Sequence, residues 1–275
     1  MKLEAVFEQT HRLPTVPKVV QELIDSFNKA DIDISAIAAR VALDQVIAAK
    51  TLRLANSAHF APTKRIGSLN EAVMVLGFST LRTLVLASGI TGAFITTPGF
   101  DRKSFWRHSL DIAAYARWLA RLSGEDTDAA FTCGLTHNIG ELLIHVVSPE
   151  LAVHIDRSVE KGADRRILED NNIGFDYIDV GAELARRWNF PEAFRLAILH
   201  QNAPLRNPES GPLGLILHLA ICLSESFAQP AHTPESIVDN LPQAELAALK
   251  LDRDLLVSKL AEAQIEAEKM EDLLG

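Results

Sequence analysis

The chain has little cysteine and no excess of basic charge, and each shortage excludes a class of protein. Its two cysteines, Cys133 and Cys222, stand far apart in apolar, helical-looking segments. This placement predicts buried free thiols in a reducing compartment and argues against a disulfide framework or a zinc knuckle. With 36 acidic and 27 basic residues, the formal net charge is -9. Broad electrostatic capture of nucleic acid or of an anionic membrane is therefore disfavoured, although a local basic patch is compatible with that charge.

Targeting and membrane segments are also missing from the sequence. No apolar segment follows Lys2, and no stretch reaches the roughly 20 apolar residues that a membrane span requires. Internal repeats and low-complexity segments are absent. We therefore expect a cytoplasmic protein without membrane contact. What the chain does have is 48% hydrophobic residues over 275 positions, which is ample for a sizeable core.

Helical periodicity runs along the whole chain while period-2 alternation is nearly absent, so the sequence predicts an all-α fold. Ser68 and Glu71 have the spacing of a capping box and open a helix that Gly77 is predicted to stop. A loosened stretch at 92–99 predicts a junction. Further predicted segments are helices at 106–122 and 129–145, a loop-like stretch at 158–172, and helices at 180–188, 193–200, 213–226 and 252–273.

Several blocks of sequence stand in one order and spacing. They are LPTVP at 13–17, AKTLRLANSA at 49–58, IGSLNEAV at 66–73, FWRHS at 105–109, GLTHNIG at 134–140, and GAEL at 181–184 with WNFP at 188–191. In these blocks the chain resembles an HDOD domain, the output-type relative of the HD superfamily of metal-dependent phosphohydrolases. The resemblance implies an N-terminal helical subdomain at 1–95, a degenerate HD-like helical core at 96–228 and a C-terminal helical extension at 229–275. It also implies a bacterial protein linked to signalling.

In catalytic HD proteins, the resemblance implies a cage of histidines and aspartates around a divalent metal. Three histidines match ligand positions: His108, His137 and His200. The other positions of this degenerate pocket are changed, with Asn138 for an aspartate, Tyr177 and Gln201 for histidines, and Ile221 for the closing aspartate. Hydrolysis of this class needs a cation that carboxylates hold in place. We therefore predict no catalytic residue, no metal and no cofactor.

Two other interpretations of the histidines stay open. His137 lies on an otherwise apolar helix, where a core histidine hydrogen-bonded to a neighbouring polar group is common. Alternatively, His108, His137 and His200 hold one divalent metal such as zinc, as tris-histidine sites do. A metal-dependent phosphohydrolase acting on nucleotides or cyclic nucleotides would then draw carboxylates from Glu141 or Asp176.

The N-terminal half carries a basic cluster in which a partner or anion patch is predicted. Its members are Lys50, Arg53, Asn56, Ser57, Lys64, Arg65 and Arg82. The alternative is that Asn56 and Ser57 only cap a helix and turn the chain. The pairs at 165–166 and 186–187, which are all arginines, are predicted to be solvated helix faces.

Together these residues predict a non-catalytic signalling or regulatory scaffold that acts through a protein partner or by sensing a ligand. A small ligand in the vacated pocket fits this prediction, since an emptied cage lined by polar side chains makes a reasonable receptor cavity. A nucleic-acid-binding regulator is a second alternative, and the acidic balance counts against it.

Overall fold

Helices make up the regular structure of the computed structural model, which describes residues 2–8, 17–27, 33–57, 65–94, 99–229 and 233–270. No strand occurs within these ranges, and the all-α prediction is confirmed. The helices are α1 (Leu3–Glu8), α2 (Lys18–Ser26), α3 (Ile34–Val41), α4 (Gln45–Ala55), α5 (Leu69–Ala93), α6 (Arg102–Ser123), α7 (Thr127–Thr136), α8 (Ile139–Val147), α9 (Pro149–Val159), α10 (Arg165–Ile173), α11 (Tyr177–Arg187), α12 (Glu192–Leu199), α13 (Gly211–Ala228), α14 (Pro234–Asn240), α15 (Gln243–Ala248) and α16 (Arg253–Met270).

The chain divides into two compact units. The smaller unit comprises residues 15–94, and the larger one contains residues 1–14 and 95–272. The junction predicted at 92–99 falls at this division. The predicted subdomain at 1–95 differs at its start, because α1 belongs to the larger unit, where the Arg187 guanidinium lies 4.3 Å from the centre of the Phe7 ring. The predicted extension at 229–275 also groups with the larger unit as far as residue 272.

In the smaller unit, α5 packs against α2, α3 and α4. Its start follows the predicted chemistry: the Glu71 amide donates to the Ser68 hydroxyl at 3.2 Å, and the Gly67 amide donates to the Glu71 carboxylate at 3.2 Å. Gly77 has φ 76° and ψ 160°, a conformation that side chains disfavour, and it kinks the helix there. The predicted stop at Gly77 is therefore a kink within α5.

Two helical segments are longer and more apolar than the sequence analysis predicted. Leu69–Ala93 and Pro208–Ala228 are long and apolar enough to cross a membrane by length and composition alone. Within Leu69–Ala93, 61% of the apolar window is buried inside the protein. Burial of this kind is typical of a core helix, which passes the same test of length and hydropathy.

In the larger unit, α6 packs against α7, α13 and α16, and α11 packs against α8 and α12. Asp101 caps the start of α6, where its carboxylate accepts from the Ser104 amide at 3.0 Å. At the other end of α6, the Arg121 guanidinium forms a bidentate ion pair with Glu266 of α16. The HD-like region thus forms around the helix that carries His108.

Two predictions about this unit are wrong in detail. The helix predicted at 129–145 is broken into α7 and α8, with His137 and Asn138 in the turn between them. The stretch at 158–172, predicted to be loop-like, contains the helix α10. Its start is capped by Asp164, which accepts from the Ile167 amide, and its end is Gly174 in the left-handed conformation. Both signals were in the sequence, but the polar composition of α10 hid them.

Candidate functional site

The break between α7 and α8 brings four polar side chains of the larger unit together with a fifth from the end of α12. This histidine pocket comprises His108, Ser109, His137, Asn138 and Gln201. The rings of His108 and His137 have centroids 6.1 Å apart and meet edge to face. The turn itself is buried, since His137 is 4% exposed and Asn138 is 6% exposed.

His137 is held as a neutral imidazole. Its Nδ1 lies 2.6 Å from the backbone oxygen of Gly134, which can only accept, so Nδ1 carries the proton and Nε2 keeps its lone pair. Burial, and then the charge of a protonated His108, lower the pKa of His137 to about 3. Burial likewise lowers the pKa of His108. Both rings are therefore uncharged at neutral pH.

Asn138 is bound into the pocket by its carbonyl group. The Ser109 hydroxyl lies 3.0 Å from Asn138 Oδ1 and 2.9 Å from the backbone oxygen of Phe105. The hydroxyl has a single proton and two acceptor oxygens within reach, so it links Asn138 to the backbone of α6. Asn138 is thus part of an internal hydrogen-bond network.

Gln201 closes the pocket from the end of α12. Its side chain is fully buried, and its Nε2 donates to the backbone oxygen of His137 at 3.3 Å. Its Oε1 is buried without a hydrogen-bond partner among the described residues. An acceptor of this kind costs about 1–3 kcal/mol unless a donor reaches it.

The remaining predicted positions are His200, Tyr177 and Ile221. His200 Nε2 is 3.3 Å from the carboxylate of Glu209. Tyr177 opens α11, and its backbone oxygen touches Gly140, where an added Cβ would lie only 1.9 Å away. Ile221 is half-buried on α13. His108, His137 and His200 do not bring their ring nitrogens within 4.8 Å of one another in the described structure.

A second polar cluster, missed by sequence analysis, lies where α8, α9 and α10 meet in the same unit. This arginine cluster comprises Glu141, His145, Asp156, Arg165 and Glu169. Glu141, His145 and Asp156 offer ligand atoms that all lie within 4.8 Å of one another, as in a metal site. An arginine already supplies the cation, because Arg165 nitrogens lie 2.5 Å from Asp156, 3.3 Å from Glu141 and 3.4 Å from Glu169.

The charges of the arginine cluster are largely removed from water. The Glu169 side chain is fully buried, and burial raises its pKa to about 7 against the opposing effects of the Tyr177 amide and Arg165. Burial also raises the pKa of Glu141. The Arg165 side chain is 16% exposed, so its prediction as part of a solvated helix face is wrong. The physical reason is that three carboxylates from three helices surround it.

The carboxylates proposed as alternative metal ligands are engaged elsewhere. Glu141 belongs to the arginine cluster. Asp176 caps α11, accepting from the amides of Ile178 at 2.9 Å and Asp179 at 3.1 Å. Its second oxygen lies 2.6 Å from Arg166 Nε.

The predicted basic patch of the smaller unit is only partly on the surface. Arg53 and Arg65 are exposed, whereas Lys50 and Ser57 are half-buried. Arg82 is 8% exposed, and its guanidinium lies 4.6 Å from the Phe27 ring centre and 5.0 Å from that of Phe78. Lys64 lies outside the described residues.

Asn56 of this patch has a structural role. Its Nδ2 donates to the backbone oxygens of Leu52 at 2.7 Å and Ile66 at 2.9 Å, and its Oδ1 accepts from the Ile66 amide at 2.8 Å. These bonds fasten the segment around Ile66 to the end of α4. Ile66 in turn packs with Ala55, Ala72 and Leu76 in a buried cluster. These contacts fit the alternative interpretation, in which Asn56 caps a helix and turns the chain.

Comparison with known proteins places these features in a family. The HDOD domain model matches residues 13–204. A curated relative from Treponema pallidum (strain Nichols), described as "Uncharacterized protein", is 28% identical over 213 residues, covering 76% of this chain and 41% of the relative. The chain thus spans less than half the length of that relative.

Two solved structures are similar over nearly the whole chain. A Shewanella amazonensis SB2B protein described as "Putative phosphohydrolase" is 34% identical, with a TM-score of 0.82 and 98% of each chain covered. A Geobacter sulfurreducens protein described as "HDOD domain protein with unknown function" is 25% identical, with a TM-score of 0.81, 98% of this chain covered and 97% of the other. This chain belongs to the HDOD family.

Proposed function

We propose that this HDOD protein is a non-catalytic regulatory scaffold that acts through protein contacts or ligand sensing. The observation that supports the proposal is the chemistry of the histidine pocket. Where an HD hydrolase needs carboxylates, the buried turn offers a neutral imidazole at His137 and an amide at Asn138 that is bound by Ser109. Neutral donors leave the charge of a divalent cation and of a phosphate group uncompensated.

Nearby carboxylates do not supply the negative charge that the histidine pocket lacks. A carboxylate oxygen of Glu141 lies 3.3 Å from an Arg165 nitrogen. Asp176 caps the start of α11 and also forms an ion pair with Arg166. Moving Glu141 to a metal would take one of three carboxylates from Arg165, whose side chain is 16% exposed, and such a loss is costly for a buried charge. Moving Asp176 would uncap α11 and break its ion pair with Arg166. The arrangement therefore favours a pocket that binds or relays over one that cleaves phosphoesters.

Ligand sensing has its own support in the pocket. Gln201 Oε1 is a buried acceptor that lacks a donor among the described residues, and the same side chain bonds to the His137 backbone. A small ligand with a hydrogen-bond donor would satisfy the Gln201 oxygen and stabilise the turn at His137. We place a signalling protein partner on the smaller unit, where Arg53 and Arg65 are exposed. The family resemblance suggests the cytoplasm as the location, with no cofactor required.

The rival function is a metal-dependent phosphohydrolase. It is favoured by the 6.1 Å approach of His108 and His137 and by the description of the Shewanella amazonensis relative. A nucleic-acid regulator is a weaker rival because the net charge is -9.

Phosphodiesterase assays on the purified chain test the proposal. The substrates are bis(p-nitrophenyl) phosphate and a panel of cyclic nucleotides, each with Mn²⁺ or Zn²⁺, and the matched variants are His137→Gln and Asn138→Asp. We expect the wild-type rate to equal that of His137→Gln. Turnover with stoichiometric metal that His137→Gln abolishes would overturn the proposal. Asn138→Asp serves as the positive control for metal capture, since it restores a carboxylate beside the imidazoles.

A further inference from the structure

A second group of potential ligands lies on α13 and α15, outside the histidine pocket and the arginine cluster. His218 and Cys222 are four residues apart on α13, a spacing that puts both side chains on one helix face. The imidazole Nε2 lies 3.7 Å from Cys222 Sγ and 4.0 Å from Oε1 of Glu245, which α15 supplies. A thiol and a carboxylate thus both approach one imidazole nitrogen.

The imidazole is oriented as metal-binding histidines are. His218 Nδ1 lies 2.7 Å from the backbone oxygen of Gln201, which fixes the proton on Nδ1 and leaves the Nε2 lone pair facing the thiol and the carboxylate. A ligating histidine commonly donates its other N–H to a backbone carbonyl in this way, because that bond holds the ring and raises its basicity.

We propose that His218, Cys222 and Glu245 form a binding site for a thiophilic divalent cation of the zinc class. A tetrahedral zinc site requires separations of about 3.5 Å between nitrogen and sulfur and about 3.3 Å between nitrogen and oxygen. The observed separations of 3.7 and 4.0 Å need only small side-chain rotations to reach those values. The thiol and the carboxylate lie farther apart than 4.8 Å, so Glu245 swings inward as the ion enters.

The charge around the thiol suits a cation. Burial, followed by the negative charges of Glu225 and Glu245, raises the pKa of Cys222 to about 11. In the part of the chain that the structure describes, neither glutamate is paired with a lysine or an arginine. A bound divalent ion reverses the effect on the thiol, since direct coordination stabilises the thiolate and releases its proton to solvent. The His218 side chain is 19% exposed and that of Glu245 is 12% exposed, so an ion has a path from solvent.

Cobalt spectroscopy on the full chain tests this site. Co²⁺ bound through a thiolate gives a sulfur-to-metal charge-transfer band in the near ultraviolet, which oxygen and nitrogen ligands do not give. We expect the band with about one equivalent of Co²⁺, its displacement by Zn²⁺, and an apparent affinity at least about tenfold weaker in His218→Gln. Cys222→Ser should lose the band while keeping the fold by circular dichroism.

Matched variants separate this site from other metal sites. Cys133→Ala removes the other, fully buried thiol and should keep the band, and His137→Gln in the histidine pocket should keep it too. Zn²⁺ should raise the Tm of the wild type and of these two controls, but not that of Cys222→Ser. A wild type without the band, or a Cys222→Ser variant with the same Zn²⁺-induced Tm shift, would overturn the inference.

Discussion

The histidine pocket includes the turn that precedes α8, the arginine cluster includes Glu141 and His145 of α8 itself, and the two accommodate buried polar groups in opposite ways. The histidine pocket holds neutral groups, because Asn138 offers an amide and burial keeps His137 uncharged. The arginine cluster keeps its carboxylates and neutralises them with Arg165. The first region is therefore built from uncharged polar groups, and the second from carboxylates paired with a guanidinium.

The two regions share a narrow backbone contact. Gly140, between the histidine turn and Glu141, lies against the backbone oxygen of Tyr177, while the amide of Tyr177 donates to Glu169 at 2.7 Å. The backbone of Tyr177 therefore contacts both regions, through its oxygen at Gly140 and through its amide at Glu169.

The largest effect is expected at Gly140. A Cβ there would lie 1.9 Å from the Tyr177 oxygen, and backbone cannot rotate away as a side chain can. Gly140→Ala should reduce the free energy of unfolding by about 4 kcal/mol, measured by urea denaturation. The control is Gly181→Ala in α11, where the nearest atom to an added Cβ is 3.5 Å away. Equal losses in the two variants would mean that the contact does not hold the regions together.

The next effect concerns the arginine cluster. Arg165→Met leaves Glu141, Asp156 and Glu169 facing one another without a cation, which should cost about 3 kcal/mol at pH 8. The loss should shrink at pH 5, because carboxyl groups whose pKa values rise further become protonated in the folded state. The exposed ion pair of Arg186 with Glu183 provides the control, and Arg186→Met should leave stability nearly unchanged at both pH values because solvent screens the pair. A loss independent of pH would contradict the electrostatic account.

The smallest effect concerns the histidine pocket and depends on pH. The folded pKa of His137 is about 3 and the unfolded value is 6.5, so between them the unfolded chain binds more protons. Stability is therefore lost as pH falls below 6.5, by about 2 kcal/mol between pH 7 and pH 5 for this group. In His137→Gln this part of the pH dependence should disappear from denaturation curves. An unchanged slope would show that the pKa of His137 is the same in the folded and unfolded chain, which contradicts its burial as a neutral ring.

The sequence allowed the helical class and the capping of α5 by Ser68 to be predicted, because helical periodicity and caps depend on a few neighbouring positions. His108 and His137 were candidates only through the family resemblance, and the fold brings their rings to 6.1 Å. The break at Asn138 could not be predicted from periodicity, since Ser109 lies 29 residues away in the chain. Arg165 was misjudged for a similar reason. Its neighbours along α10 are polar, and only the fold brings Glu141 and Asp156 to it.

Arg165 supplies the positive charge of the arginine cluster from within the chain itself. A guanidinium that is covalently part of the chain cannot be diluted, exchanged or extracted by a chelator, and it needs no loading step after synthesis. The helices α8, α9 and α10 therefore assemble around a counter-ion that arrives with translation, at a fixed stoichiometry of one per molecule. We therefore expect their cohesion not to depend on the concentration of free metal in the surrounding solution.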